Sequence, residues 1–182
     1  MEDVPESQSN LNVVITGASG GIGKAIAEGV SRWGANLGLL GRDDARLSQV
    51  AAAVRREART VTVFRGDLAK LAQIRKLASE VGNAFQRIDV LVHSAGTIHV
   101  GTFTGLPEAA VEEQLMVNFR APYELTRGLL PNLILARGQV VFINSSVSHQ
   151  AGRPALGLYT ATKQALKAMS ESLREEVNPE GI

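Results

Sequence analysis

Residues 13–33, VVITGASGGIGKAIAEGVSRW, constrain the fold of this chain more than any other stretch. An apolar run from Val13 to Ile15 passes through Thr16 into Gly17, Gly20, Gly21 and Gly23, then into a helical pattern with Ile22, Ile26, Val30 and Trp33 on one face. That order predicts strand, tight turn, helix. Glycine adopts backbone conformations closed to other residues and lets N–H groups approach a ligand, while the following helix turns the positive end of its dipole toward the same spot. A pyrophosphate fits such a turn. A strand and helix that merely pack closely use the same residues, so the flanking chain has to decide between the two.

With 182 residues the chain is long enough for one substantial core and too short for two ordinary domains. We expect a polar tail over residues 1–10 and a single domain over residues 11–182. Formal net charge is +1 with no long block of like charge, which excludes the electrostatic footprint of a nucleic-acid binder. The chain has no cysteine, which rules out disulfides, cysteine metal sites and thiol nucleophiles. No run reaches the roughly 20 apolar residues of a membrane span, and the opening MEDVPESQSN is acidic and polar. A cytoplasmic location is expected.

Further along, short apolar runs alternate with helical periodicity. Candidate strands cover residues 11–16, 35–40, 60–64, 88–93 and 139–144, mostly apolar, as in strands covered on both faces. Between them, Leu47, Val50, Val54 and Ala58 form one helical stripe and Leu71, Ile74, Leu77, Val81 and Phe85 another. This alternation predicts an α/β fold: a doubly wound, mostly parallel, Rossmann-like sheet with helices on both faces and ligands beyond the carboxyl ends of the strands. Residues 107–135 read as one long helix or a broken pair, with Pro107 at the start, Pro122 inside and Asn118 just before the break. Residues 158–177 form a last helix with Thr162, Leu166, Met169, Leu173 and Val177 on one face, stopped by Asn178-Pro179.

The last helix opens with Tyr159-Thr-Ala-Thr-Lys163. Residues four apart share a helix face, so an ammonium can sit near the phenol oxygen and favour its ionised form, as general acid–base work requires. An amphipathic tyrosine beside a solvated lysine is the alternative. Ser146 follows the fifth candidate strand, where its hydroxyl can hold a substrate oxygen or simply cap a turn with Ser145 and Ser148.

Taken together, TGASGGIG, an aspartate after the third strand, Ala95-Gly96 after the fourth, Asn118, Ser146 and YTATK resemble the compact, single-domain branch of the short-chain dehydrogenase/reductase family, from Asn12 to the end. The resemblance implies an oxidoreductase moving hydride between a nicotinamide and a carbonyl or secondary alcohol. Tyr159 is then the general acid/base, Ser146 steadies the substrate oxygen, Lys163 aids the tyrosine and holds the nicotinamide ribose, and Asn118 supports a proton path to the lysine. It also implies cofactor contacts from Gly17, Ser19, Gly21, Ile22, Gly23, Arg42, Asp67, Leu68, Ala95 and Gly96, besides Tyr159 and Lys163. Asp67 is otherwise a helix N-cap before Leu68. Where the family shows Asn-Asn-Ala-Gly, this chain has His93-Ser94-Ala95-Gly96, so a hydrogen bond of the first asparagine is taken over by His93 or lost.

At the end of the second strand, Gly41 stands where an NAD-specific site presents a carboxylate, and Arg42 follows. A guanidinium pairs with a ribose 2′-phosphate that a carboxylate would repel, so NADP(H) is expected over NAD(H). Asp43 or Asp44 either caps the next helix or, by turning back to the ribose, reverses that choice. His93 reads as a buried structural residue and His99 as an exposed loop residue. Val147, His149 and Arg153 lie in the segment bordering the substrate. No His/Asp/Glu cluster has the spacing of a metal site. The alternative function is a nucleotide-binding regulatory or scaffold protein without turnover. Relative to the family the final strands are missing, so the chain is expected to be part of a longer protein, paired as a homodimer or homotetramer and acting on a small carbonyl or alcohol.

Overall fold

In the computed structural model, which describes residues 10–149 and 152–182, five short apolar runs become the strands of one parallel sheet. They are β1 (Asn12–Thr16), β2 (Asn36–Gly41), β3 (Thr60–Arg65), β4 (Val90–His93) and β5 (Gln139–Phe142). Most of the expected tail, residues 1–9, lies outside the described residues, as do residues 150 and 151 of the segment expected to border the substrate. The spatial order is β3-β2-β1-β4-β5. The chain therefore steps outward one way from β1 to β3, then returns to the other side of β1 for β4. A doubly wound sheet opens a crevice at that reversal.

Successive side chains along a strand face opposite ways, and the core divides accordingly. Val13, Ile15, Leu37, Leu39 and Val92 pack on one side with Ala27, Leu47, Val50 and Val54. These last come from α1 (Gly21–Ser31) and α2 (Asp44–Val54). Val14, Leu40, Phe64 and Leu91 pack on the other side with Ile74, Leu77, Val81, Leu125, Leu129 and Leu133. Those belong to α3 (Leu71–Ala84) and α5 (Ala121–Ala136). In the α3–α5 seam the side chain of Glu124 is only 2 % exposed and meets Arg120, Arg127 and Arg75. Burial pushes its pKa up, but the three guanidiniums outweigh burial and hold it below the usual carboxylate value.

Two expectations about helices need correction. The face of α1 assigned to Ile22, Ile26, Val30 and Trp33 is only partly the buried one: Ile26 and Val30 pack against the core, but Ile22 is 57 % and Trp33 43 % exposed, and the fully buried positions are Gly23, Ala27 and Ser31. Close approach decides this. A Cβ at position 23 would lie 2.5 Å from the Gly17 carbonyl oxygen, so the helix rests on its small residues. The stretch after Pro107 forms α4 (Glu108–Leu115), a π-helical turn (Met116–Arg120) and α5 in direct succession. Pro122, at the start of α5, follows that turn rather than breaking the helix.

The last helix, α6 (Gly157–Val177), packs against the π turn and α4 and leaves β5 as a sheet edge. His93 ends β4 and is buried, 2.8 Å from the Thr126 hydroxyl and stacked on Phe142 with 5.0 Å between ring centres. Desolvation lowers its pKa from 6.5 to about 3, so the ring stays neutral.

Gly23→Ala should cost about 1–3 kcal/mol, because the new methyl meets backbone, whereas Gly29→Ala, facing open space within α1, should stabilise by about 0.5–1 kcal/mol. Urea denaturation measures both, and equal effects would contradict this packing. His93 sets a second expectation. The unfolded chain takes up a proton as pH falls below 6.5 while the native ring resists down to about 3, so this contribution to stability is present above pH 6.5 and lost on acidification. The loss approaches 1.4 kcal/mol per pH unit, roughly, inside that window. His93→Asn should flatten the acid limb, and an unchanged profile would contradict the assignment.

Candidate active site

At the carboxyl edge of the sheet, β1 and β4 separate around the glycine turn. Thr16 spans the gap: its Oγ1 accepts from the N–H groups of Ser94 and Ala95, each at 3.1 Å. Gly17 follows at φ +67°, with space for no side chain, because a Cβ there would lie 2.7 Å from the Ala95 Cα. At Gly20 and Gly21, by contrast, a Cβ would meet nothing within 4 Å. No side chain caps α1, which begins at Gly21 with Gly20 as its N-cap residue. Its free N–H groups and the positive end of its dipole therefore face a cleft of about 520 Å³. That volume is within the range of small-molecule sites.

Most residues expected at the cofactor line this cleft: Gly17, Ser19, Gly21, Ile22, Arg42, Asp67, Leu68, Ala95 and Gly96. Gly23 does not. It lies beneath the lining, against Gly17, where it sets how closely α1 approaches β1. Asp67 is not a helix N-cap, since α3 begins only at Leu71; its Oδ1 instead accepts from the Ala69 N–H at 3.0 Å within the preceding turn. Asp43 caps α2 by accepting from the Arg46 N–H at 3.0 Å, and Asp44 pairs with Arg65. Neither aspartate lines the cleft, which leaves Arg42 as the ionic side chain at the end of β2.

Beyond Gly96 the cleft leads to a buried polar cluster. A Cβ at position 96 would lie 3.5 Å from Asn118 Oδ1 and 3.9 Å from Lys163 Nζ. Asn118, in the π turn, accepts from the Thr97 N–H at 2.8 Å and donates to the Thr97 carbonyl at 2.8 Å and to Thr162 Oγ1 at 3.2 Å. It thereby fixes the strand β4 exit against α6. Lys163 is buried, donates to the Ile143 carbonyl at 2.9 Å, and has its pKa lowered by desolvation. Its ammonium lies 5.9 Å from the centre of the Tyr159 ring, one helical turn away.

Ser146 begins a short 3-10 turn, Ser146–His149, that packs on α6. Ser148 donates to the Ser145 carbonyl at 2.7 Å, and Ser145 Oγ accepts from the Val147 N–H at 3.5 Å, so the neighbouring serines shape the turn while Ser146 is exposed. Of the residues expected to border the substrate, His149 and Arg153 are exposed and Val147 is buried. The Gly101 N–H donates to the Ala155 carbonyl at 2.9 Å, joining the loop after β4 to the segment before α6.

His93 turns away from the cleft toward Thr126, so it does not take over the contact of the family's first asparagine. His99 is not a free surface residue: its side chain is 32 % exposed and its Nε2 lies 2.9 Å from Glu113 Oε2. Glu113 and Thr97 also line the cleft, unforeseen from sequence. Thr97 adjoins Ala95-Gly96 and was within reach of that motif. Glu113 belongs to no motif and gave no signal. Among the described residues no group of His, Asp or Glu side chains could hold a metal ion, and no helix is long and apolar enough to cross a membrane.

Comparison with known proteins agrees with this geometry. The family model described as short chain dehydrogenase matches residues 11–182. The chain is 35 % identical over 170 residues to 11-beta-hydroxysteroid dehydrogenase A of Sesamum indicum, covering 92 % of this chain and 49 % of that protein. It is 33 % identical over 179 residues to an uncharacterized oxidoreductase of Bacillus subtilis, covering 95 % and 71 %. Among solved structures, a metagenomic short-chain oxidoreductase in complex with NADP superposes with a TM-score of 0.90 at 31 % identity, covering 97 % of this chain and 79 % of that one. An alcohol dehydrogenase from Thermococcus sibiricus complexed with 5-hydroxy-NADP gives 0.87 at 30 % identity, covering 94 % and 72 %. The chain thus spans about half the length of the Sesamum relative it matches. With the glycine turn, the reversed sheet and the Tyr159–Lys163 helix all in the family's order, this chain belongs to the short-chain dehydrogenase family.

Proposed function

We propose that the chain carries the cofactor site and acid–base group of an NADP(H)-dependent oxidoreductase acting on a small carbonyl or secondary alcohol. The observation that carries this reading is one continuous cleft edge. It runs from Arg42, past the uncapped N-terminus of α1, to Gly96, and the buried side chains of Asn118 and Lys163 lie directly behind Gly96. Gly20 and Gly21 leave open the space that a side chain would fill, and a pyrophosphate is the chemistry such a bare helix end favours. Ser94, Ala95 and Gly96 would border the cofactor beyond it, and Asp67 and Leu68 its adenine end. Solved relatives bind NADP in two cases above and NAD in another, a reductase 25 % identical with a TM-score of 0.89.

Bound there, the nicotinamide supplies or takes up a hydride. The chain's own residues manage the substrate oxygen. Tyr159 gives its hydroxyl proton to that oxygen in reduction and accepts it in oxidation, while Ser146 donates a hydrogen bond that holds the oxygen in register. Lys163, one helical turn on with its ammonium 5.9 Å from the centre of the Tyr159 ring, would hold the nicotinamide ribose. Asn118 keeps Thr97 and Thr162 at fixed distance, so the lysine and tyrosine keep their places on α6. Oligomerisation as a homodimer or homotetramer and a cytoplasmic location belong to the same proposal. A non-catalytic nucleotide-binding role is the competing reading, favoured by the single fact that His93 is turned into the core.

Tyr159→Phe should lower turnover of NADPH with a carbonyl panel by about 10²–10⁴-fold while leaving NADPH binding within a few-fold of the parent. Parent protein that binds NADPH but shows no turnover on any carbonyl, with Tyr159→Phe indistinguishable from it, supports the scaffold reading instead. Arg42→Asp should weaken NADPH binding by about tenfold or more relative to NADH, as expected when a phosphate meets a carboxylate in place of a guanidinium. Equal loss of both cofactors would contradict the assignment of Arg42 to the 2′-phosphate.

A further inference from the structure

Arg42 is already engaged. Its guanidinium lies 3.3 Å from Glu113 Oε1 and 4.0 Å from Asp67 Oδ1, and all three residues line the same end of the cleft. Glu113 comes from α4, on the opposite rim, and its other oxygen meets His99 Nε2 at 2.9 Å. The adjacent Gln114 is fully buried and accepts from the His99 N–H at 2.5 Å, so the helix that carries Glu113 is tied to the loop after β4. The Glu113 side chain is 29 % exposed against 69 % for Arg42, which makes the carboxylate the better-fixed member of the pair.

Resting on the assignment of Arg42 to the 2′-phosphate, we propose that Glu113 is a specificity-determining residue that limits the preference for NADP(H) over NAD(H). Arg42 with Glu113 and Asp67 sums to one net negative charge at the rim. A phosphate monoester, itself close to doubly charged, must draw the guanidinium from Glu113 and then lie near the carboxylate it displaced. NAD(H), whose ribose hydroxyl is neutral, meets neither penalty. Glu113 keeps its contact with His99 when Arg42 leaves, so the negative charge remains at the rim. Glu113→Gln removes the charge while its single carbonyl oxygen can still accept from Arg42, its amide NH2 then facing His99 Nε2, which accepts in the Nδ1–H tautomer.

The test is binding of NADPH and of NADH, followed by nucleotide fluorescence, to the full chain and to its Glu113→Gln and Arg42→Ala variants. Glu113→Gln should tighten NADPH binding roughly two- to fivefold, the effect of one partly exposed charge, and change NADH binding by less than about twofold. Arg42→Ala should lower the ratio of NADPH to NADH affinity. A loss of folding integrity would move both cofactors together, whereas the proposal requires the ratio to shift. If Arg42→Ala leaves the ratio unchanged, the cofactor reading fails and this proposal with it. If Arg42→Ala lowers the ratio while Glu113→Gln leaves it unchanged or lowers it, the role of Glu113 alone is overturned.

Discussion

The approach of Gly17 to the backbone of Ala95 is the contact on which the site depends. A side chain at position 17 would lie 2.7 Å from the Ala95 Cα, and one at position 23 would lie 2.5 Å from the Gly17 carbonyl oxygen. Both contacts are possible only because no Cβ intervenes. Together they seat the first turn of α1 in the fork where β1 and β4 part, and Thr16 closes the fork from below with two hydrogen bonds. Relaxing either contact would lift the helix end away from the strand termini. The bare N–H groups would then no longer share a surface with Ser94, Ala95 and Gly96.

Helices on the two faces of the sheet are held by different means. On the α3–α5 side, mostly long apolar side chains fill the core, with one close approach of Gly128 to Ala78, and a buried carboxylate is balanced by three guanidiniums. On the α1 side, small residues allow backbone to approach backbone. The difference suits the chemistry. Large side chains build a wall that tolerates some exchange of volume, whereas a helix end that has to meet a ligand needs its backbone exposed and its position fixed. The polar cluster at the other end of the cleft follows the second pattern. Asn118 spends its amide on backbone and hydroxyl partners, which makes the π turn a rigid mount and leaves the lysine on the adjoining helix well placed.

Much of this was readable from the residues because the strands are apolar on both faces and the motifs carry their own spacing. All five strands lie within two residues of their expected bounds at either end, and Gly96 lies beside Asn118 and Lys163. The failures share a cause. Periodicity weights large apolar residues, so it finds Ile26 and Val30, which do pack on the core, but not Gly23, Ala27 and Ser31, which make the closest contact while Ile22 faces the cleft. His99 reads as exposed and Glu113 carries no mark in the sequence, because their pairing, and that of Glu113 with Arg42 across 71 residues of sequence, is created by the fold alone. Charges on an amphipathic helix carry no mark of which one will face a cleft.

Amide hydrogen exchange with and without NADPH tests most directly the claim that the bare helix end is the seat of the cofactor. The account predicts slowed exchange over residues 17–23 and 94–97, with little change along β5 and the outer face of α6. Protection absent from the glycine turn, or confined to the groove between β5 and α6, would contradict it.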